Sequence, residues 1–369
     1  MTENVGPENR NESRRRRISV CAILGLFLLA LGTGCQATRM RNEVLPEEPI
    51  AFLYWEDKAA SKRSDVFGKA NEIPRPPADP DNRARQEELE IRTHLRAEIS
   101  PVLRSMLAKH PGHMMLYWPR TEEVERIEAA PADALPLAWS RDHKRLLFAS
   151  SHRGGKEQLY EYHLDRKDLS VLTVGPEEHP RGSYDAAGNL VIERLVRETR
   201  NEAALQTLHQ ASPSGRLEKA FTAGVPPGTV RVSPDGDRVV FEQVNPRPRR
   251  DGPTVYESLI AAVDVSPGAS PEVLLKGREP VWTPDGRWIV FASPSSAGYR
   301  LRRMRPDGTS RVPISPGGTE ERMPAVSPDG EYVAYVQFVN GKRRLAVRRF
   351  DGKGNRLLLS KGWAEFPVW

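Results

Sequence analysis

The sequence predicts an all-β fold, a six-bladed β-propeller of four-stranded antiparallel blades with a helical insertion near the N-terminus. Three observations lead to this prediction. A short apolar strand followed by a Ser/Thr-Pro-Asp-Gly turn recurs about every 45 residues, a period typical of stacked repeats. After most turns comes a second apolar strand with an aromatic residue near its third position. The 369-residue chain also holds 32 prolines, above the usual share of about 5%, which favours many short strands and turns.

The repeated turn has the residues needed to reverse the chain. Proline presets φ at the second turn position, the Asp and Ser or Thr oxygens accept hydrogen bonds from nearby amides, and glycine adopts the positive φ of the reversal. Two copies are degraded, at 140–143 and 185–188. The complete copies are Ser233–Gly236, Thr283–Gly286 and Ser327–Gly330.

Each repeat has room for four strands, which is the unit of a propeller blade. A single such sheet cannot bury both faces, whereas blades stacked around an axis bury them against one another. The second strands contain Leu146–Phe148, Leu190–Ile192, Val239–Phe241, Ile289–Phe291 and Val333–Tyr335. Third strands are predicted near 158–164, 204–210, 255–265, 299–305 and 344–350, and fourth strands near 170–174, 218–222, 272–276, 311–314 and 356–360.

Five complete blades extend from about 136 to 362, and a sixth is predicted from separate pieces of the chain, at 49–55, 113–130 and 364–369. Its innermost strand would come from the C-terminal piece, so that residues 50–55 pair with 366–369. Closing the ring in this way removes the exposed sheet edges that promote aggregation. The propeller is therefore predicted to span 49–369.

The segment of about 83–110, within the sixth blade, has a different character. Its apolar side chains recur every three or four residues, which is the spacing of one face of an amphipathic helix. Pro101 after Ser100 is typical of a helix start. The sequence predicts an insertion of one or two helices here. The apolar residues are Leu95, Ile99, Leu103, Met106 and Leu107.

The repeat of the type Pro-x-Trp-Ser-Pro-Asp-Gly resembles that of TolB-like, WD40-like propellers over residues 136–369. The resemblance implies the propeller fold. The same repeat occurs in binding propellers, such as those of bacterial Tol–Pal systems, and in the non-catalytic halves of prolyl peptidases, so it does not specify a function. The chain departs from TolB in its N-terminal signal, its inserted segment and the lack of room for a separate N-terminal α/β domain.

The first 34 residues have the layout of a signal peptide. Arg14–Arg17 form a basic n-region, and Ile18–Leu31 form an apolar run shorter than the roughly 20 residues of a transmembrane helix. The small residues before Cys35 resemble a bacterial lipobox, which implies that Cys35 receives a diacylglycerol and becomes the mature N-terminus. An uncleaved signal anchor or an ordinary secretory peptide is the alternative, and either one also places residues 36–369 outside the cytoplasm.

The residues around Cys35 also bear on localisation. Gln36 is not the aspartate linked to inner-membrane retention, so we expect an outer-membrane anchor that faces the periplasm. Residues 35–48 are polar and are predicted to form a flexible tether. The other cysteine, Cys21, lies in the apolar run of the signal, so no disulfide is expected in the folded part.

Catalytic motifs are missing from the sequence. There is no Gly-x-Ser-x-Gly nucleophile elbow and no His-Glu-x-x-His metal spacing, so neither a metal nor a cofactor is expected. The formal net charge of +6 is mild, and the basic clusters lack interleaved aromatics, so nucleic acid is not an expected partner. Clusters such as 300–305 and 342–349 either cover apolar surface and sheet edges or attract anionic envelope polymers or lipid head groups.

Glutamates recur shortly before the prolines that open inner strands, which would place them at the mouth of the central channel. Carboxylates from successive blades would form an acidic rim able to bind a cation or a basic partner segment. The alternative is that each one bonds the backbone of a neighbouring blade or faces water. The candidate binding rim consists of Glu178, His179, Glu279, Glu321, Arg322 and Glu365.

These observations predict a non-catalytic cell-envelope lipoprotein whose propeller binds a protein or a peptidoglycan-associated partner. Its contact with the membrane would be made through lipidated Cys35. The alternative is a polysaccharide- or peptide-processing enzyme with a loop-built site at the channel mouth. A pocket with perturbed acids and a basic residue would favour the enzyme, and a flat, wide rim would favour the binding protein.

Overall fold

The computed structural model describes residue 40 and residues 43–56, 112–185, 187–196, 205–223, 229–249 and 252–369. The predicted signal peptide, Cys35 and the helical insertion predicted at about 83–110 lie outside the described residues. Within the described ranges, no helix has the length and apolar character needed to cross a bilayer.

The described residues form 24 strands in six antiparallel sheets of four strands each, which are the blades of a propeller. Blade 6, the closing blade, contains β1 (Ile50–Trp55), β2 (His113–Trp118), β3 (Glu123–Arg126) and β24 (Trp363–Val368). Blade 1 contains β4 (Leu135–Trp139), β5 (Arg145–Ser150), β6 (Gln158–His163) and β7 (Asp168–Val171), and blade 2 contains β8 (Gly182–Tyr184), β9 (Leu190–Val196), β10 (Leu205–Ala211) and β11 (Leu217–Ala223).

The other three blades follow in chain order with the same layout. Blade 3 contains β12 (Val230–Val232), β13 (Arg238–Arg249), β14 (Gly252–Asp264) and β15 (Glu272–Lys276). Blade 4 contains β16 (Arg278–Trp282), β17 (Ile289–Ser295), β18 (Gly298–Met304) and β19 (Val312–Pro313). Blade 5 contains β20 (Glu321–Val326), β21 (Tyr332–Val339), β22 (Lys342–Arg349) and β23 (Arg356–Leu357).

The prediction of a six-bladed ring is confirmed, and so is its closure by the two ends of the propeller sequence. β24 pairs antiparallel with β1, with Ala51 opposite Val368 and Trp55 opposite Trp363. The sheet then continues through β2 to β3, in the strand order β24-β1-β2-β3. The ring therefore has an innermost strand in every blade, and each blade packs between two others.

The core lies between blades, because each second strand is buried on both faces. Phe241 on blade 3 is fully buried, and it packs in one cluster with Val191 and Leu208 of blade 2. Inner-strand tryptophans add hydrogen bonds between blades. Trp139 Nε1 donates to the carbonyl of Val368 at 3.2 Å, and so joins blade 1 to the closing blade.

The two ends of the propeller differ in what they contain. The Ser/Thr-Pro-Asp-Gly turns join first to second strands, so they lie at the end named here the turn face, as do the connections between third and fourth strands. In each complete turn the first hydroxyl donates to the aspartate, as from Thr283 to Asp285 at 2.6 Å. The opposite end, named here the rim face, carries the starts of the inner strands and the connections between second and third strands.

Two long features leave from the rim face. The connection between β1 and β2, residues 56–112, begins and ends there, because Trp55 pairs with the first residue of β24. The β13–β14 hairpin continues its pairing from Glu242 to Arg249 opposite Gly252, far beyond the length of the neighbouring second strands.

Candidate functional site

The rim face is built around a repeated irregularity of the inner strands. In β16, β20 and β24, two consecutive inner-strand residues lie opposite one aromatic residue of the second strand, which is a β-bulge. The first bulge residue has a left-handed φ, of 55° in Glu279, 54° in Met323 and 52° in Phe366. The second is proline, which has no amide to donate and disfavours helical φ and ψ in the residue before it. The aromatic residues opposite are Phe291, Tyr335 and Phe52.

Each bulge directs the amide of its first residue toward the preceding blade, where a side chain accepts the hydrogen bond. The amide of Glu279 donates to Glu242 Oε2 at 3.3 Å, and the amide of Met323 donates to Glu279 Oε2 at 2.7 Å. The amide of Phe366 lies 3.4 Å from the sulfur of Met323. Consecutive hydrogen bonds therefore link blades 3, 4, 5 and 6 along the rim face.

The carboxylates in this chain of bonds also face arginines of the next blade. Arg278 Nε lies 2.9 Å from Glu242 Oε1, and Arg322 Nη2 lies 2.6 Å from Glu279 Oε1. Both guanidinium groups flank the ring of Tyr299, at 5.8 and 5.4 Å from its centroid. Burial disfavours the charged form of Glu279, but the two arginines and the backbone amide outweigh it and lower its pKa. Glu279 is therefore an ionised, anchored group at neutral pH.

Two further rim glutamates are almost fully buried, with exposures of 2% for Glu321 and 0% for Glu365. Their counter-ions lie on one strand, β22. Arg348 Nη2 is 3.0 Å from Glu321 Oε1, and Arg343 forms an ion pair with Glu365. These two carboxylates lie beneath the surface, where they hold the inner strands of blades 5 and 6.

Glu178 and His179 lie on blade 2, opposite blade 5 in the ring. Glu178 forms an isolated antiparallel bridge with Leu195, and the amide of His179 donates to the carbonyl of Glu157 in blade 1 at 2.7 Å. Nδ1 of His179 lies 3.2 Å from the carbonyl of Glu193. Burial lowers the pKa of His179, so the ring is neutral at pH 7 with its Nδ1–H directed at that carbonyl.

The six candidate rim residues thus fall into three local groups. Glu279 and Arg322 are in direct contact and partly exposed. Glu321 and Glu365 lie below the surface on neighbouring blades 5 and 6. The blade 2 pair is on the other side of the ring, where only Glu178 reaches the surface.

Sequence reasoning missed two buried glutamates of the second strands that take part in these contacts. Glu242 and Glu193 occupy equivalent positions, each directly after the three apolar residues of a second strand, and their exposures are 4% and 1%. Arg181 Nη1 lies 2.8 Å from Glu193 Oε2, which repeats within blade 2 the pairing of Arg278 with Glu242. A charged residue inside an otherwise apolar strand was the available signal, because a buried charge requires a partner.

One cluster on the rim face contains the residue types of a hydrolase triad. Ser150 Oγ donates to Asp133 Oδ1 at 2.6 Å and lies 2.9 Å from His152 Nδ1. Asp133 also accepts from the amide and the hydroxyl of Ser151, at 2.7 and 2.6 Å. In a catalytic triad the acid orients the histidine and the histidine accepts the serine proton, whereas here the acid holds the serine, which is 2% exposed. The cluster therefore braces the β5–β6 loop.

The part of the chain that the structure describes contains no cluster of side chains suited to a metal ion. No group of three His, Cys, Asp or Glu side chains there is placed to hold an ion. No family model matches the chain.

The curated proteins of similar sequence cover different shares of the chain. An uncharacterised protein of Agrobacterium fabrum is 24% identical over 253 residues, which are 64% of this chain and 78% of that protein. A TolB homologue of Chlorobium chlorochromatii is 33% identical over 96 residues, 26% of this chain and 21% of that protein. The TolB of the Tol–Pal system of Hydrogenovibrio crunogenus is 33% identical over 60 residues, 16% of this chain and 14% of that protein. The matched stretches are thus a small part of both TolB proteins.

Solved structures of the same fold cover more of the chain. TolB of Acinetobacter baumannii superposes with a TM-score of 0.57 at 16% identity, over 89% of this chain and 68% of that one. A TolB-designated protein of Agrobacterium tumefaciens gives 0.51 at 22% identity, over 66% of this chain and 87% of that one. Hydrazine synthase of Kuenenia stuttgartiensis gives 0.58 at 14% identity, over 88% of this chain and 46% of that one. The fold is a TolB-like propeller, and it also occurs within an enzyme.

Proposed function

We propose that this TolB-like propeller is an exported envelope lipoprotein, anchored through Cys35 in the outer membrane and facing the periplasm. It acts without catalysis, by binding a protein or a peptidoglycan-associated partner on its rim face. The TolB proteins among its relatives make an envelope setting the natural one for this fold.

The state of the rim-face carboxylates is the observation that carries the proposal. A general acid needs a pKa raised toward neutrality, and a nucleophile needs a base beside it. Among the described carboxylates of the rim face, those with a resolved shift, Asp133, Glu177 and Glu279, all have a lowered pKa. Burial opposes ionisation of Asp133, but its hydrogen bonds from Ser150 and Ser151 lower its pKa, and the Arg194 ion pair lowers that of Glu177. Together with Glu279, these acids brace strands and loops, as in a rigid binding scaffold.

The exposed parts of the rim define where a partner would make contact. Glu178, Glu279 and Arg322 are partly exposed and reach the surface, and the buried His179, Glu321 and Glu365 position the strands below them. The β13–β14 hairpin projects beside this surface, so a partner would bind a rigid ring of strands that is flanked on one side by this hairpin.

A photo-crosslinking amino acid placed on each face tests the binding surface. Asn340 on the rim face and Ser310 on the turn face are a matched pair, because both are exposed residues of strand connections with left-handed φ values, 50° and 51°. In cells, we expect the probe at position 340 to capture a discrete envelope partner and the probe at 310 to capture none.

Capture from position 310 alone, or an absence of adducts from several rim positions in a folded protein, would contradict a rim-face binding site. Turnover of an envelope glycan or peptide by the purified protein would instead support the enzyme alternative.

The lipid anchor predicts a specific labelling result. Cys35→Ala should abolish incorporation of radiolabelled palmitate, because the thiol of Cys35 is the proposed acceptor. Cys21→Ala is the matched control, since that cysteine lies in the apolar run and should leave labelling unchanged. Palmitate retained by the Cys35 variant would rule out the lipoprotein assignment.

A further inference from the structure

The N-terminal residues that the structure describes are docked on blade 5 before they enter β1. Met40 is 1% exposed and lies so close to Gly354 that even a methyl group there would collide with it. Leu45 is 2% exposed and belongs to the same buried cluster as Leu345 and Val347 of blade 5.

Polar contacts hold the same N-terminal segment, one set between Met40 and Leu45 and another just before the first strand. Glu43 accepts hydrogen bonds from Arg349 Nη1 at 3.0 Å and from the Tyr332 hydroxyl at 3.3 Å. The carbonyl of Glu48 accepts one from Trp369 Nε1 at 2.9 Å. Residues 43–48 are therefore held in place at both ends, by contacts of Glu43 and of Glu48.

These contacts place the start of the path on the turn face. Gly354 lies in the connection between β22 and β23, and Tyr332 begins β21 two residues after the last residue of the Ser327–Gly330 turn. Both positions belong to the end of the blade that carries the turns. From there the chain passes Glu48 and runs along β1 toward the rim face.

The length of chain before Met40 limits where a lipid on Cys35 can enter the bilayer. Met40 follows Cys35 by five residue steps, and a fully extended chain spans at most about 3.5 Å per step, so the reach is at most about 18 Å. A six-residue strand such as β1 already spans about 20 Å from one face to the other. The anchor therefore reaches a membrane beside the turn face but not one beside the rim face.

We propose that the turn face lies against the bilayer surface, with the rim face directed away from the membrane. This inference rests on the proposed lipidation of Cys35. The orientation presents the partner-binding face to the periplasm, toward peptidoglycan and its associated proteins.

Charge contributes little to this contact. Exposed cations around Gly354 include Arg349 and Lys353, with side chains 40% and 76% exposed. Carboxylates such as Asp351 alternate with them, and the amide of Lys353 donates to that carboxylate at 2.9 Å. Because Glu43 and Asp351 pair with these two cations, the short docked tether sets the orientation, and we expect it to be the same on neutral and on anionic lipid.

Fluorescence energy transfer to labelled lipid tests the orientation. The lipidated protein is given single cysteines by Ser310→Cys or Asn340→Cys, labelled with a donor and mixed with vesicles of phosphatidylcholine, with or without phosphatidylglycerol, that contain an acceptor lipid. We expect several-fold stronger transfer from position 310 than from 340 in both lipid mixtures. Equal or reversed transfer, with the protein floating with the vesicles, would overturn the orientation and leave the anchor intact.

Two further outcomes separate the anchor from the orientation. Failure of the protein to float with vesicles would overturn both proposals. In the variant Met40→Ser/Leu45→Ser, which releases the docked segment, we expect flotation to persist and the difference between positions 310 and 340 to fall toward zero. A difference that survives this release would show that something other than the tether orients the propeller.

Discussion

A chain shortened to end at Gly362 is expected to lose its cooperative unfolding transition and to aggregate. β24 is the innermost strand of blade 6, and its loss leaves β1 as an unpaired edge. Besides the buried Glu365 and Pro367, it also removes four residues with buried apolar side chains, each contributing about 1.5–3 kcal/mol if large, from a domain stabilised by only about 5–15 kcal/mol. The four residues are Trp363, Ala364, Val368 and Trp369.

A circular permutant is the matched control for this truncation. Joining residue 369 to residue 43 and opening the chain between Val196 and Leu205 keeps every strand pair and moves the ends to another blade. Trp369 already contacts Glu48 and shares a buried cluster with Leu45, so a short linker is sufficient. Urea unfolding followed by tryptophan fluorescence should be cooperative for the permutant and not for the truncated chain. A truncated chain that unfolds at the same urea concentration would show that closure does not stabilise the ring.

The propeller was predictable because its signals are local and repeated. The turn motif needs only four consecutive residues, and the apolar second strand follows each complete copy at a constant distance. Ring closure followed from a general physical requirement, since an open ring would expose two sheet edges. The long β13–β14 hairpin was predicted only in part, from residue 255 onward, because its pairing extends into residues with no apolar alternation.

The rim was harder to predict, because the inner strands of different blades align differently by sequence than they do by structure. In the sequence, Glu279 and Glu321 are aligned because each is the glutamate that precedes the proline of an inner strand. In the structure Glu279 corresponds to Met323, the first residue of the bulge, and Glu321 lies two residues earlier. The partner of Glu321 is 27 residues away on β22, and no local pattern indicates a contact between first and third strands.

The third-strand arginines show the same limit. Sequence reasoning favoured long side chains that cover apolar surface, with attraction to anions as the alternative. In the structure Arg344 and Arg348 are 8% and 5% exposed, so they are interior groups. Pairing of Arg348 with a glutamate of the inner strand could be recognised only once the strands were placed.

Glu321→Ala is expected to be the most destabilising single substitution among the rim residues. Its carboxylate and Arg348 are both buried, with side chains 2% and 6% exposed, and the Arg348 guanidinium also donates to the Tyr335 hydroxyl at 3.2 Å. Removal of one member of a buried ion pair leaves the other charge without compensation, at a cost of about 3–5 kcal/mol. Urea unfolding at pH 7 should show this loss in the free energy of unfolding.

Two control variants distinguish a buried pair from an ordinary surface contact. Arg349→Met removes the neighbouring ion pair with Glu43, in which the arginine side chain is 40% exposed, and should cost less than about 1 kcal/mol. The double variant Glu321→Leu/Arg348→Met removes both buried charges, so it should recover most of the stability lost in Glu321→Ala. If the double variant is no more stable than the single one, the glutamate stabilises blade 5 by contacts other than this pair. If Glu321→Ala itself costs less than about 1 kcal/mol, the Arg348 charge is compensated elsewhere.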